Sequence, residues 1–191
     1  MILPIMEPTC AGMVVRGDER AGAEFSADAR YRYRLWRRFD ASVPNPRFVA
    51  FTMLNPSTAT EVVLDPTLRR CAGFAKVWGF DGFMVANVFA LRSTDPRGLL
   101  VPGVDPVGPD NLAAISRTAR ECQQTVCGWG SFSAGGSFWR TFDGRDARFA
   151  AHAAITAIHP PQHLGLTREG HPCHPLYLRG DTMPQLFTVI R

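Results

Sequence analysis

The stretch from Phe48 to Leu54, FVAFTML, restricts what this chain can fold into more than any other segment. A run this short and this uniformly apolar is typical of a strand that is covered on both faces. The strand must end at Asn55-Pro56-Ser57, because proline cannot donate a hydrogen bond to a β-ladder. The segment therefore predicts a buried strand of a helix-covered sheet, with polar residues directly after it.

The rest of the chain continues this alternation of apolar strands and helical segments. Asp65 followed by Pro66 is a typical start of a helix, with an N-cap and a proline at the first helical position. Tyr31 to Phe39 alternates as a half-exposed strand does, with a basic solvent face. The predicted elements are strands at 31–39, 48–54, 82–90, 124–130 and 162–167, and helices at 66–78, 111–121 and, at the least, 146–158.

This succession predicts the fold class. Strands that alternate with helices favour an α/β protein, here a three-layer sandwich with a mainly parallel central sheet plus an extra N-terminal strand. Residues 1–27 are expected to be a loosely ordered N-terminal extension, and residues 28–191 a single α/β domain. The hydrophobic share of 46% and the charged share of 20% are ordinary for a folded chain of 191 residues.

No apolar run approaches the roughly 20 residues that a membrane-spanning helix needs. The first residues, MILPIMEPTCAGMVV, contain prolines and lack the basic region of a secretory signal. We therefore expect a cytoplasmic protein without a membrane partner, and no obligate protein partner is inferred.

Charge and cysteine content bear on the partners and cofactors. The net charge is +4, and Lys76 is the only lysine among 21 basic residues. Arginine suits phosphate recognition, although a GC-rich genome would produce the same bias. Five cysteines without a C-x-x-C pair argue against a disulfide framework and against a four-cysteine zinc or iron–sulfur site. No cofactor is predicted.

Polar and aromatic residues lie at or just beyond the carboxyl end of each of the four predicted central strands. Because ligands of such sheets bind beyond the carboxyl ends of parallel strands, these residues are expected to converge on one crevice. They are Asn55-Pro56-Ser57, Asn87 with Phe89, Trp129-Gly130, and the segment from His171 to His174.

Several motifs resemble those of a bacterial family catalogued as a domain of unknown function, number 1643. They occur in the order MLNPSTA, DPTLRRCAGFAKVWGF, NVFALRSTDP, DPVGPDN, WG and HPLYL. The resemblance covers roughly residues 30 to 180 and implies no activity.

A more distant resemblance is to the uracil-DNA glycosylase superfamily, in particular its mismatch-specific branch. Leu54-Asn55-Pro56-Ser57 is similar to a motif whose asparagine positions the attacking water, and Asn87 corresponds to an asparagine that binds the base edge. His171 to Leu176 is similar to a last motif whose histidine stabilises the departing base. One inserted residue leaves open whether His171 or His174 has that role, and the first motif lacks the aspartate of the strongest glycosylases.

The resemblance implies a protein that binds a nucleobase, in nucleic acid or in a nucleotide, with or without hydrolysis of the N-glycosidic bond. Asn87 has the donors and the acceptor that suit a pyrimidine edge, and Phe89 or Trp129 has a ring that suits stacking. Arg69 is placed to reach the crevice from the first turn of its helix. Each residue also has a structural interpretation, as a turn, a satisfied core amide, a core aromatic or a solvent-exposed charge.

Two alternative functions stay open at this point. One is a non-catalytic module that senses a nucleotide or a modified base, which the weak water activation favours. The other is a zinc-dependent hydrolase in which the ligands come from the His171-Pro172-Cys173-His174 loop. Structural zinc sites normally draw ligands from two separate segments, and His159 and His163 follow no known spacing.

Overall fold

The computed structural model describes residues 12–57, 64–131 and 144–188. These residues form three α-helices, two short 3₁₀ helices at Pro96–Leu100 and Pro175–Tyr177, and one sheet of eight strands. The helices are α1 (Pro66–Val77), α2 (Asn111–Glu121) and α3 (Gly144–Thr156). The strands are β1 (Met13–Gly17), β2 (Ala21–Ser26), β3 (Arg32–Arg38), β4 (Phe48–Met53), β5 (Gly82–Asn87), β6 (Gln124–Cys127), β7 (Gln162–His163) and β8 (Gln185–Leu186).

The sheet is mixed and has the strand order β1-β2-β3-β5-β4-β6-β7-β8. Four of its seven pairings are antiparallel, namely β1–β2, β2–β3, β3–β5 and β7–β8. Only β5–β4, β4–β6 and β6–β7 pair in parallel. The predicted glycosylase-like sandwich around a mainly parallel sheet with one extra strand is therefore wrong.

The error arises at the N-terminal side of the sheet. The sequence predicted one strand there, whereas the structure has three antiparallel strands, β1, β2 and β3. Residues 13–26, assigned from sequence to an extension, form β1 and β2. Charged residues hide the strand pattern there: Glu24 is 0% and Arg34 1% exposed, and the two form a salt bridge at 2.9 Å. Arg34 also pairs with Glu121 at 2.6 Å, and Arg117 pairs with Glu24. Buried charges persist where partners neutralise them, but a single sequence does not display those partners.

The four parallel strands carry the helices and create the crevice. Residues of α1 pack against Val49 and Phe51 of β4, whereas α2 and α3 belong to a cluster that includes Ala86 of β5. Because successive side chains of a strand point to opposite faces, these clusters lie on opposite sides of the sheet. The chain leaves β4 towards β5 and leaves β6 towards β7, in opposite directions, so a crevice opens between the carboxyl ends of β4 and β6.

Helix α1 begins as its sequence predicts. Asp65 is the N-cap, its carboxylate accepts a hydrogen bond from the Leu68 N–H at 2.8 Å, and Pro66 occupies the first turn. Strand β5 ends at Asn87 rather than residue 90, and β7 is shorter than predicted. None of the helices formed by the described residues combines the length and the apolar character needed to cross a bilayer.

Candidate functional site

A cavity of about 380 Å³ lies at the carboxyl edge of the parallel strands. Residues that follow β4, β5 and β6 line it, together with the corner that precedes the second 3₁₀ helix. The walls are formed by Arg32, Met53, Leu54, Asn55, Ser57, Asp65, Thr67, Leu68, Asn87, Pro96, Trp129, Gly130, Ser131, His174 and Tyr177. This size is at the lower end of the range for small-molecule pockets.

Asn55 enters the cavity wall directly after β4. Its side-chain Nδ2 donates to the Ser93 carbonyl at 2.8 Å and to the Pro56 carbonyl at 3.2 Å. The amide group is therefore fixed by the backbone, and its Oδ1 is the atom left to interact with a ligand or water. Pro56 itself is buried outside the cavity wall, where its carbonyl also accepts from the Ser93 N–H at 3.0 Å.

Asn87 is the last residue of β5 and is only 2% exposed. Its side chain forms no hydrogen bond with another residue in the described part of the chain, although the residue lines the cavity. Its carbonyl accepts from Nδ2 of Asn111 at 3.0 Å, and the same Nδ2 donates to the Val88 carbonyl at 2.9 Å. Asn111 thus holds the end of β5 in place. The sequence analysis placed Asn111 only at the start of a helix, because its partners lie more than twenty positions away.

His174 is the histidine that lines the cavity. Its Nδ1 accepts a hydrogen bond from the Leu176 N–H at 3.3 Å, so the neutral ring carries its proton on Nε2. Burial lowers the pKa of His174, and the nearby negative charge of Asp65 opposes that effect. A neutral imidazole with an Nε2–H donor is the form expected at neutral pH.

His171 is directed elsewhere. Its Nδ1 lies 2.6 Å from Nη1 of Arg148, a residue of α3, and His171 does not line the cavity. Burial and the positive charge of Arg148 lower the pKa of His171, while Glu169 opposes the shift. The two histidines of the last motif therefore differ in position: His174 lines the cavity, whereas His171 contacts Arg148 outside it.

The cavity also contains charged residues that sequence reasoning did not assign to it. Asp65, expected only as a helix cap, lines the wall, and one of its carboxylate oxygens accepts from the Ser57 hydroxyl at 3.2 Å. Arg32, expected on a solvent face, is 3% exposed and lies in the wall. The sequence could have indicated that Asp65 lies in the cavity, since it stands eight residues after Ser57 in the same predicted loop. It could not have indicated this for Arg32, because the burial of Arg32 depends on the antiparallel pairing of β3.

The three remaining candidates differ in position. Trp129 lines the cavity but is 2% exposed and packs edge-to-face against Phe187 at 5.7 Å, so it is a wall rather than an open stacking surface. Phe89 is fully buried in the core and does not line the cavity. Arg69 is exposed on α1 outside the lining residues. Phe89 lies two residues beyond the end of β5, where its N–H still donates to the Leu54 carbonyl at 3.0 Å and its side chain packs in the core.

The histidine and cysteine side chains that the structure describes do not converge on a metal site. Among the described residues, no group of three His, Cys, Asp or Glu side chains is placed to hold a metal ion. Nε2 of His159 lies 2.8 Å from the Thr125 hydroxyl, and Nδ1 of His163 accepts from the Gly165 N–H. Burial raises the pKa of Cys173, which disfavours the thiolate that zinc requires. This geometry lends the zinc hydrolase no support.

Comparison with known proteins places the chain in a family. Residues 32–176 match the family model described as "Protein of unknown function (DUF1643)". The chain belongs to this family. The DUF1643 match begins at the cavity residue Arg32 and ends one residue before Tyr177, so it includes the cavity walls with that single exception. No curated protein and no solved structure matches the chain.

Proposed function

We propose that this DUF1643 protein binds a nucleobase, in nucleic acid or in a nucleotide, and hydrolyses its N-glycosidic bond. The observation that carries the proposal is the presence of the Asn87 amide and the neutral His174 imidazole in one small cavity. The motif resemblance to the uracil-DNA glycosylase superfamily supports the same activity, because it pairs an asparagine and a histidine in these positions.

Base recognition is assigned to Asn87. An amide offers one acceptor and two donors, which match the alternating groups on the edge of a pyrimidine. Its burial strengthens discrimination, since a ligand that leaves this amide unpaired incurs a desolvation penalty of about 1–3 kcal/mol. Leu54, Met53 and Trp129 supply apolar walls for the faces of a flat ring.

Stabilisation of the leaving group is assigned to His174. Cleavage of the N-glycosidic bond leaves an electron pair, and hence negative charge, on the departing base. A donor fixed where this charge develops lowers the barrier, and removal of such a donor typically reduces kcat by about 10²–10³. The Nε2–H of His174 is suited to donate to a carbonyl oxygen of the base.

Water attack is assigned to Asn55 and Asp65. The Oδ1 atom of Asn55 accepts one hydrogen bond from the water and thereby orients it, but an amide takes up no proton. As the water oxygen bonds to the anomeric carbon and the carbon–nitrogen bond breaks, the water proton passes to the Asp65 carboxylate. That carboxylate already accepts from the Leu68 N–H and the Ser57 hydroxyl, and each oxygen retains a lone pair.

The test is release of free base from oligonucleotides that contain uracil, mismatched thymine or modified pyrimidines. We expect His174→Ala to reduce the rate by about 10²-fold or more, and Asp65→Asn to reduce it while the helix cap is retained, because asparagine caps as well as aspartate. His171→Ala is the matched control, since His171 lies outside the cavity. Equal rates for the His174 and His171 variants would contradict the assignment.

A non-catalytic sensor of a nucleotide or a modified base is the second candidate. The observation in its favour is that Asn55 uses its Nδ2 to hold the backbone and that Asp65 acts as a helix cap. Thermal stabilisation by nucleotides, lost in Asn87→Leu and accompanied by no base release from any substrate, would select this function over hydrolysis.

A further inference from the structure

The mouth of the cavity carries an exposed aromatic ring that the proposed chemistry does not use. Tyr177 lines the cavity, yet 83% of it is exposed to solvent. Its ring lies 5.9 Å from that of His174, centroid to centroid, at an interplanar angle of 50°. A ring with this exposure extends from the cavity wall into solvent, where it is accessible to a ligand.

The backbone around Tyr177 is fixed. The Cys173 N–H donates to the Gly165 carbonyl at 2.8 Å, and the Pro172 carbonyl accepts from the Gly130 N–H at 2.8 Å. Pro175 is buried. The proline-framed corner therefore presents the tyrosine ring at a set place beside the cavity. A rigid aromatic is suited to stacking because little conformational entropy remains to be lost.

Two exposed arginines lie next to lining residues of the cavity in the sequence. Arg69 is exposed and lies four residues after Asp65, so the two are neighbours on the surface of the first helical turn. Helical side chains tend to point back towards the N-terminus, and the N-terminal end of α1 lines the cavity through Asp65, Thr67 and Leu68. Arg97 follows the cavity residue Pro96 and is 74% exposed, in a surface ion pair with Asp95. Such exposed pairs contribute little to stability, so replacing Asp95 by a phosphate as the partner of Arg97 would cost little.

We infer that this rim, composed of Tyr177, Arg69 and Arg97, binds single-stranded nucleic acid. The inference rests on the proposed function, because it assumes that one nucleobase of the strand occupies the cavity. The ring of Tyr177 then stacks on the adjacent base, and the two arginines contact the flanking phosphates. Exposed aromatics combined with basic side chains are the usual means of holding single strands. A duplex offers no open base face, so the rim selects single strands over duplex.

The experiment measures the Kd of three probes: a fluorescein-labelled single-stranded deoxyuridine 12-mer, the same strand annealed to its complement, and free dUMP. We expect the single strand to bind most tightly. Tyr177→Ser is expected to weaken single-strand binding by roughly tenfold or more and to weaken dUMP binding by a smaller factor, whereas Tyr177→Phe retains both. Folding is not at risk, since the side chain is largely exposed.

The arginine contribution is measured by salt dependence. Arg69→Gln is expected to reduce the slope of log Kd against log salt by about 0.7. Arg120→Gln is the matched control, because Arg120 is exposed in the last turn of α2, which leads to the amino end of β6 at the opposite sheet edge. Equal slope changes for both variants would overturn the role of Arg69.

The outcomes separate this inference from the proposed function. Loss of dUMP binding in Asn87→Leu, with single-strand binding unaffected by Tyr177→Ser, supports the cavity and overturns the rim. If single-strand binding requires Tyr177 but not Asn87, the result supports the rim and overturns the proposed binding of a base in the cavity. Equal affinity of the wild type for dUMP and the single strand also overturns the rim.

Discussion

At the scale of single residues, one buried amide holds the backbone at the end of β5 in place. Asn111 is 0% exposed, and its Nδ2 donates to the carbonyls of Asn87 and Val88. We expect Asn111→Ala to lower the free energy of unfolding by about 2–3 kcal/mol, because two buried carbonyls lose their donor. Urea denaturation measures this change. The neighbouring Leu112, which is 42% exposed, gives the control Leu112→Ala, expected within about 0.5 kcal/mol of wild type; equal midpoints for the two variants would contradict the claim.

At the scale of elements, substitution of two glycines by alanine should change the stability of the fold in opposite directions. A Cβ at Gly128 would lie 2.8 Å from Cδ of Pro175, so the contact between β6 and the His174 corner leaves no room for it. Gly73 is exposed within α1, and a Cβ there meets nothing within 4 Å. We expect Gly128→Ala to destabilise the fold and to impair base binding, and Gly73→Ala to stabilise it by roughly 0.5–1 kcal/mol. Thermal unfolding with and without dUMP tests both expectations. An unchanged Tm for Gly128→Ala would contradict the close packing of Gly128 against Pro175.

At the scale of the whole molecule, acid should unfold the protein through its histidines. Burial lowers the pKa of all five below the usual value of 6.5. The unfolded chain therefore binds more protons as the pH falls, so this stability is complete above pH 6.5 and is lost progressively below it. We expect Tm to be level from pH 8 to 7 and to fall between about pH 6.5 and 5.

The variant His171→Gln tests how much of the decrease in Tm at acidic pH is due to His171. Glutamine retains an acceptor for Arg148 but does not titrate, so the acid loss of Tm should be smaller than in the wild type. A Tm that is constant down to pH 5 in the wild type would contradict the histidine account.

Local signals were sufficient for several parts of this structure. The cap at Asp65, the proline in the first turn of α1 and the apolar stretch of β4 are contiguous in sequence, and each was recognised because its physical cause lies within a few residues. Asn55, Asn87 and Trp129 were expected to lie together at the carboxyl edge of the sheet, and all three line one cavity, although β5 and β6 end earlier than predicted. What these signals share is that backbone propensity, capping and apolar patterning act over short distances.

Other features were decided only by contacts between distant segments. Glu24 and Arg34 are buried in strands because they neutralise each other, so no apolar pattern marked β2 and the sheet was taken to be mainly parallel. The choice between two neighbouring histidines followed from Arg148, 23 residues from His171 along the chain. The sequence alone determined that β4 is buried and stops before Asn55-Pro56, and that the first helix starts after Asp65. The tertiary structure decided the direction of strand pairing, and which charged and titratable groups reach the cavity, since the partners that make their burial favourable lie far apart in the chain.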